Sequence, residues 1–189
     1  MTAYEAAAAR RTIRKFKQKP IPRTNLERYV NAARLAPSGM NMQCLKYVIV
    51  DGKAKVAKVF AHVKWAGYIA PAGDPAKGEE PTAYIIVLAD TEIRSSGYEL
   101  DAGAAIQNVL LTAWDDGVGA CWMGAVDRDA IRAALGIPER YIIVNVLALG
   151  YKAEDPKVDP FADTVKYHKD EAGRLHVPKR GLAEVLLKL

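Results

Sequence analysis

Three short segments of the chain carry residue types that could do chemistry, and none of them is long. Positions 10–14 read Arg10-Arg11-Thr12-Ile13-Arg14, and Lys15, Lys17 and Lys19 follow, so ten positions hold six basic residues and no acid. Arginine offers a fork of donors matched to phosphate oxygens, and a neighbouring hydroxyl can add one more hydrogen bond. From this segment alone a solvated basic terminus is an equal reading. The second segment, Ala36-Pro37-Ser38-Gly39-Met40-Asn41-Met42-Gln43, places two amides close together. Each amide both donates and accepts, which suits a heterocycle edge of alternating carbonyl and N–H groups, although the same composition also serves as ordinary turn chemistry. The third, Gly117-Val118-Gly119-Ala120-Cys121-Trp122-Met123-Gly124, lacks G-x-G-x-x-G spacing and leads into a strand instead of following one. Its small residues let backbone approach a planar ring closely, or let a strand pack closely with no ligand at all.

The remaining polar residues narrow the chemistry further. Cys44 and Cys121 are far apart in sequence with no ligand spacing between them, so they read as small reduced core residues, and no metal site is expected. His62, His168 and His176 are scattered and show no ligand pattern. Taking the six basic residues of 10–19 from the chain's 27 leaves 21 basic residues against 22 acidic ones. The positive charge is therefore local and calls for a local anion. Nucleic-acid binding is disfavoured, since the basic segment carries no recognised motif and the rest of the chain is slightly acidic.

Elements that could position these segments follow from periodicity. Positions 3–10 are alanine-rich and helical by propensity. Thr24-Asn25-Leu26-Glu27 has capping-box form, and Leu26, Val30, Ala33 and Leu35 recur at helical spacing until Pro37, which predicts a helix over 24–35. Further helices are expected over 53–63, 100–114, 127–135 and 182–189, and strands over 47–50, 83–89, 119–123 and 142–149. Positions 67–81, with three prolines and three glycines, read as an irregular loop. The tail from about 152 is polar and irregular, too poor in apolar residues for a core of its own, so it must pack over this domain or a partner subunit.

Helices separating strands suggest a parallel sheet by spacing alone. At 189 residues, half of them hydrophobic and 26% charged, the chain fits one globular domain. Its longest apolar run, 141–150, is too short to span a bilayer and is interrupted by Asn145, and the N-terminus lacks secretory-signal form. A cytoplasmic location without membrane association is the expectation.

Taken together and in order, RRTIRKF, APSGMNMQ, DAGAAIQNVLLTAWDDGVGACWMG, YIIVNVLALGY and VPKRGL resemble the nitroreductase family from Tyr4 to about Val185. The resemblance implies an α+β fold with a mixed, largely antiparallel central sheet flanked by helices, in place of the parallel arrangement. It also implies an intertwined homodimer with FMN sites at the interface and NADH or NADPH as electron donor. Arg10, Thr12 and Arg14 then correspond to residues around the FMN phosphate, ribityl chain and ring carbonyl, with Arg11 beside them, and Lys179 and Arg180 to a basic pair near the phosphate. Pro37, Ser38, Gly39, Asn41 and Gln43 correspond to a loop reaching the flavin from the other subunit. Trp122, Met123, Gly124 and Ala125 form the stretch whose backbone, at Gly124 and Ala125, faces flavin N5. Asp101 falls where a polar residue often approaches the ring. Thr12 stands where the family usually has serine, and Cys44-Leu45 where a Pro-aromatic pair often follows the loop glutamine.

The implied activity is ping-pong electron transfer to a small organic acceptor such as a nitroaromatic or quinone. Flavin does the redox chemistry, and no side-chain acid or base is obviously required. Reductive dehalogenation, flavin fragmentation and a non-catalytic flavin-binding redox protein are the alternatives.

Overall fold

The computed structural model describes residues 1–187. Its first helix, α1 (Ala3–Ala9), is closed at the N-terminus by a capping box between Thr2 and Glu5. A two-residue strand, β1 (Phe16–Lys17), leads to α2 (Arg23–Arg34). The expected capping box at Thr24 does not form: the helix starts earlier, after Pro22, whose φ of −56° already suits a helix entry, and no side chain caps it. Then come β2 (Leu45–Val50), α3 (Lys53–Phe60), β3 (Ala83–Asp90), α4 (Glu99–Asp115) and β4 (Val118–Met123). Next is α5 (Arg128–Leu135), which is capped by the Asp127 carboxylate and ended by Gly136 in the left-handed region, as its sequence signals require. The long strand β5 (Tyr141–Lys152) completes the main domain.

The central sheet runs β1-β5-β3-β2, with β4 also paired to β5, and every pairing in it is antiparallel. The parallel arrangement suggested by spacing is thus not the one formed, and the largely antiparallel sheet implied by the family resemblance is. All eight residues of β3 are buried, because helices cover both faces of the sheet. A continuous apolar run reports two covered faces and says nothing of strand direction. Alternation does the rest: Tyr84, Ile86 and Leu88 face Val56 and Val59 of α3 and Ile131 of α5, while Ile85 and Val87 face Leu26 and Tyr29 of α2 and Ile106 and Val109 of α4. Each fully buried Ile or Leu contributes about 1.5–3 kcal/mol. Asn145, the polar interruption in β5, sits beside the register shift opposite Val87/Leu88 and donates to the Met123 carbonyl at 3.4 Å.

The tail is more ordered than its composition implies. It forms a second sheet of three strands in the order β6 (Lys157–Pro160), β8 (Leu175–Lys179), β7 (His168–Lys169). Leu175 is its buried apolar residue, so polar bonds hold much of it. A last short helix, α6, covers Leu182–Val185; the expected 182–189 helix stops there, since Leu186 turns to an extended conformation, and positions 188–189 lie outside the described residues. Among the described residues no helix is long and apolar enough to cross a membrane.

Candidate functional site

The arginine segment is laid against β4. Ile13 is fully buried and donates its N–H to the Ala120 carbonyl at 3.0 Å, while Thr12 and Ala120 form a parallel bridge. This approach needs Gly119: a Cβ there would lie 2.5 Å from Ile13 Cγ1. The Glu154 carboxylate accepts from the N–H groups of both Arg14 and Lys15, Phe16 N–H donates to the Glu79 carbonyl at 3.0 Å, and Lys15 pairs with Glu79 at 2.8 Å. With Ile13 directed into the core, Arg10, Thr12 and Arg14 line a cavity of about 310 Å³ shared with Arg11, Tyr167, Val177 and Lys179.

The electrostatics of this cavity are unbalanced. Among the described residues, the Nε atoms of Arg10, Arg11 and Arg14 are buried without a hydrogen-bond partner. Burial lowers the pKa of Arg10 below its ordinary value, with the Arg11 charge adding to the effect, and burial alone does the same to Arg11. Cations brought together with unused buried donors are an unfavourable arrangement unless an anion joins them. Arg11 differs from its neighbours in one respect: its guanidinium also donates to the carbonyls of Arg10 and Ala8, closing the end of α1. The Arg14 guanidinium lies 4.9 Å over the Tyr167 ring.

Arg14 also lines an adjoining cavity of about 550 Å³, whose walls include Lys64, Trp65, Cys121, Trp122, Met123, Gly124 and Ala125. A bridge between Val63 and Val126 and the bond from Lys64 N–H to the Ala125 carbonyl at 2.9 Å join its two sides. Gly124 faces open space, and Trp122 is 42% exposed. Burial pushes the Cys121 thiol up to about 11, so it stays protonated at neutral pH and reads as a core residue, not a nucleophile. Cys44 is likewise buried and free.

Pro37, Ser38 and Gln43 lie elsewhere. With Asp101, Arg34, Tyr47 and their neighbours they line a third cavity of about 210 Å³, which has no lining residue in common with the other two. Met40, Asn41 and Gln43 have φ of 53°, 55° and 52°, in the left-handed region that residues with a Cβ rarely occupy. Asp101 is 7% exposed, and both its oxygens are engaged: Oδ1 accepts from Gly39 N–H at 2.9 Å and Oδ2 from Arg94 at 3.0 Å. Lys179 joins the arginine cavity, whereas Arg180 pairs with Glu184 at 3.3 Å and lies 4.1 Å over Phe161.

Sequence reasoning missed Glu154, Tyr167, Lys64, Trp65 and Arg94. Only Tyr167, an aromatic in a polar tail, carried a local signal; the others act through long-range contacts. Asp159, His168 and His176 present possible ligand atoms within 4.8 Å of one another. The His176 ring is already bonded through Nδ1 to Asp159 at 2.6 Å and through Nε2 to Asp170 at 3.1 Å. These bonds raise its pKa, Asp159 first, and favour an imidazolium bridge over a metal ligand.

The fold and this cradle define an α+β domain in which a basic cavity adjoins a wider, partly apolar one. The chain belongs to the nitroreductase family, which matches residues 7–151. A relative from Archaeoglobus fulgidus, named as an NADH dehydrogenase/NAD(P)H nitroreductase, is 31% identical over 153 residues, covering 77% of this chain and 83% of its own. A Clostridium difficile structure described as an FMN-dependent nitroreductase is 26% identical at a TM-score of 0.64, with 82% of this chain and 88% of that one covered. A Desulfovibrio desulfuricans nitroreductase structure in complex with FMN shares the fold at a TM-score of 0.74 and 24% identity, covering 100% of this chain and 97% of that one.

Proposed function

We propose that this protein is a homodimeric FMN-dependent oxidoreductase that passes electrons from NADH or NADPH to a small organic acceptor in two successive half-reactions. The observation that carries the reading is that Arg10, Arg11 and Arg14, whose Nε atoms are buried without a hydrogen-bond partner among the described residues, line a single cavity. A dianionic phosphate ester meets that need, because it supplies both charge and several acceptor oxygens. Arg10, Thr12 and Lys179 would hold the phosphate end. Arg14, common to both cavities, would reach toward the ring, with Trp122, Met123, Gly124 and Ala125 along the adjoining wall.

Bound FMN supplies hydride and electron chemistry that no side chain of this chain offers. The residues supply binding, orientation and charge. A fixed cation such as Arg14 favours negative charge developing on a ring beside it, and it is already in place before reaction. The exposed Gly124 and Ala125 backbone lets a flat second substrate approach without steric obstruction. Pro37, Ser38 and Gln43 lie on a different cavity of the subunit, which supports their loop completing the site of a second copy.

The test is direct. Purified protein is expected to be yellow, to release FMN and not FAD on denaturation, and to oxidise NADH or NADPH when an acceptor is present. In light scattering it should run at about twice the 20.6 kDa chain mass. A colourless protein that takes up no added FMN would overturn the reading.

A further inference from the structure

We infer that Asp101 and Arg94 are positioning residues that hold the 37–43 loop in the shape needed by the cofactor site of a second copy; this rests on the dimeric reading above. The loop is exposed, and three of its seven residues, Met40, Asn41 and Gln43, occupy left-handed backbone without being glycine. Such conformations persist only where their surroundings over-determine them. Within the loop the side-chain bonds are few and long: Gln43 N–H to Ser38 Oγ at 3.2 Å and Gln43 Nε2 to the Asn41 carbonyl at 3.2 Å.

The external anchor is Asp101, in the first turn of α4. One carboxylate oxygen holds the Gly39 amide and the other holds Arg94, whose Nε donates to the Ser96 carbonyl at 2.8 Å. The clamp therefore ties the loop to α4 and to the turn before it. A side chain 7% exposed with both oxygens engaged is committed to this task. Arg94 closes over the loop so tightly that a Cβ on Gly39 would lie 2.8 Å from its Nη1. Asp101, which the family resemblance sets near the ring, is thus given an indirect role: it acts through Gly39 on Asn41 and Gln43.

Asp101→Ala removes both bonds and should weaken FMN binding about tenfold or more, the scale of a lost charge-assisted contact. Asp101→Asn keeps an acceptor for Gly39 and should recover part of that loss. Hydrogen exchange of the Gly39 amide should quicken in the same order, with the thermal midpoint as fold control. If Asp101→Ala does not fold, Arg94→Ala takes its place. The decisive readout is a heterodimer, isolated through two different tags, with Arg10→Ala on one subunit and Asp101→Ala on the other. Action across the interface puts both defects in one site and leaves the second intact, so half the wild-type FMN stoichiometry should remain at wild-type affinity. No intact site, or an Asp101→Ala homodimer with unchanged FMN affinity, overturns the inference while wild-type FMN binding upholds the flavoprotein reading. If the wild type binds no FMN, that reading fails, and unchanged Gly39 exchange in Asp101→Ala then sinks the clamp too.

Discussion

The arginine segment and the 37–43 loop are both short and irregular, yet they are secured in opposite ways. The first is fixed by its own backbone, through the bond from Ile13 to Ala120 and the carboxylate of Glu154 on the amides of Arg14 and Lys15. Its side chains are left with donors unused. The second has most of its residues in solvent and depends on one carboxylate outside it. The difference teaches that one half of the proposed site is built into the sheet, while the other is carried on an exposed loop and presented outward. Rigid strands hold ligand groups better than loops do, so the half that must bear the phosphate charge is the one on the sheet.

A matched pair of glycine substitutions would test this contrast most sharply. In Gly119→Ala the new methyl would meet Ile13 at 2.5 Å, against side-chain carbons near the buried backbone that cannot swing away. Overpacking of this kind costs about 1–3 kcal/mol, so a lowered thermal midpoint together with loss of FMN binding is expected. In Gly39→Ala the contact is the guanidinium end of Arg94, which can give way by loosening its bond to Asp101 without disturbing the core. Its thermal midpoint should stay near wild type, with a smaller effect on FMN. Equal destabilisation by the two variants would abolish the distinction between a sheet-built and a loop-carried half.

Smaller in effect is Glu154→Ala. Two backbone amides lose their acceptor, at roughly 1–3 kcal/mol if they remain unpaired and less where water replaces the carboxylate. FMN affinity should fall although Glu154 is expected to touch no cofactor, and Glu154→Gln, which keeps an acceptor, should recover much of it. Unaltered FMN binding in Glu154→Ala would mean that the bonds from Ile13 and Phe16 suffice.

The same contrast explains what was legible in the sequence. The arginine cluster, the amide loop and the glycine strand were visible because side-chain type and spacing are local properties. Their grouping into two places was not, since it depends on pairings such as Thr12 with Ala120 and Gly39 with Asp101. Strand positions were close, as with 83–89 against Ala83–Asp90, because burial writes itself into composition. Strand direction was not legible from spacing, because the connection from β2 to β3 is long enough to return to either end of the sheet; only the family resemblance pointed to the antiparallel pairing. Two T-x-x-E patterns occur in the chain, Thr2 to Glu5 and Thr24 to Glu27, and only the first became a cap. Pro22 decided the second by starting the helix ahead of Thr24. The tail looked structureless because its sheet is held largely by charged side chains, which leave no apolar period to read.

That tail supplies the finest test of the comparison, since β8 carries His176 and also Val177 and Lys179 of the arginine cavity. His176 is faced by Asp159 on β6, by Asp170 in the turn before β8 and by the ring of His168 on β7, stacked at 5.2 Å. Lys157 Nζ stands 3.8 Å from Asp159, and the Arg174 amide donates to Asp170 at 2.8 Å, so both carboxylates are further engaged. The carboxylates outweigh burial and raise the folded pKa of His176 above its ordinary 6.5, Asp159 contributing most. A raised folded value means that the charged form stabilises the fold. That contribution is complete below about 6.5 and fades as pH climbs through the raised value. FMN held by the arginine cavity should accordingly be released slightly faster toward alkaline pH, and His176→Gln should flatten that dependence. The His176 Cε1 proton, followed by NMR, should titrate above its ordinary pKa in the wild type and lower in Asp159→Asn. The Asp101 clamp shares no residue with the His176 cluster, so the loop half should be indifferent to it. FMN release with the same pH dependence in wild type and His176→Gln would show that the tail sheet, although it brings Lys179 to the cavity, does not govern how firmly that half of the site is held.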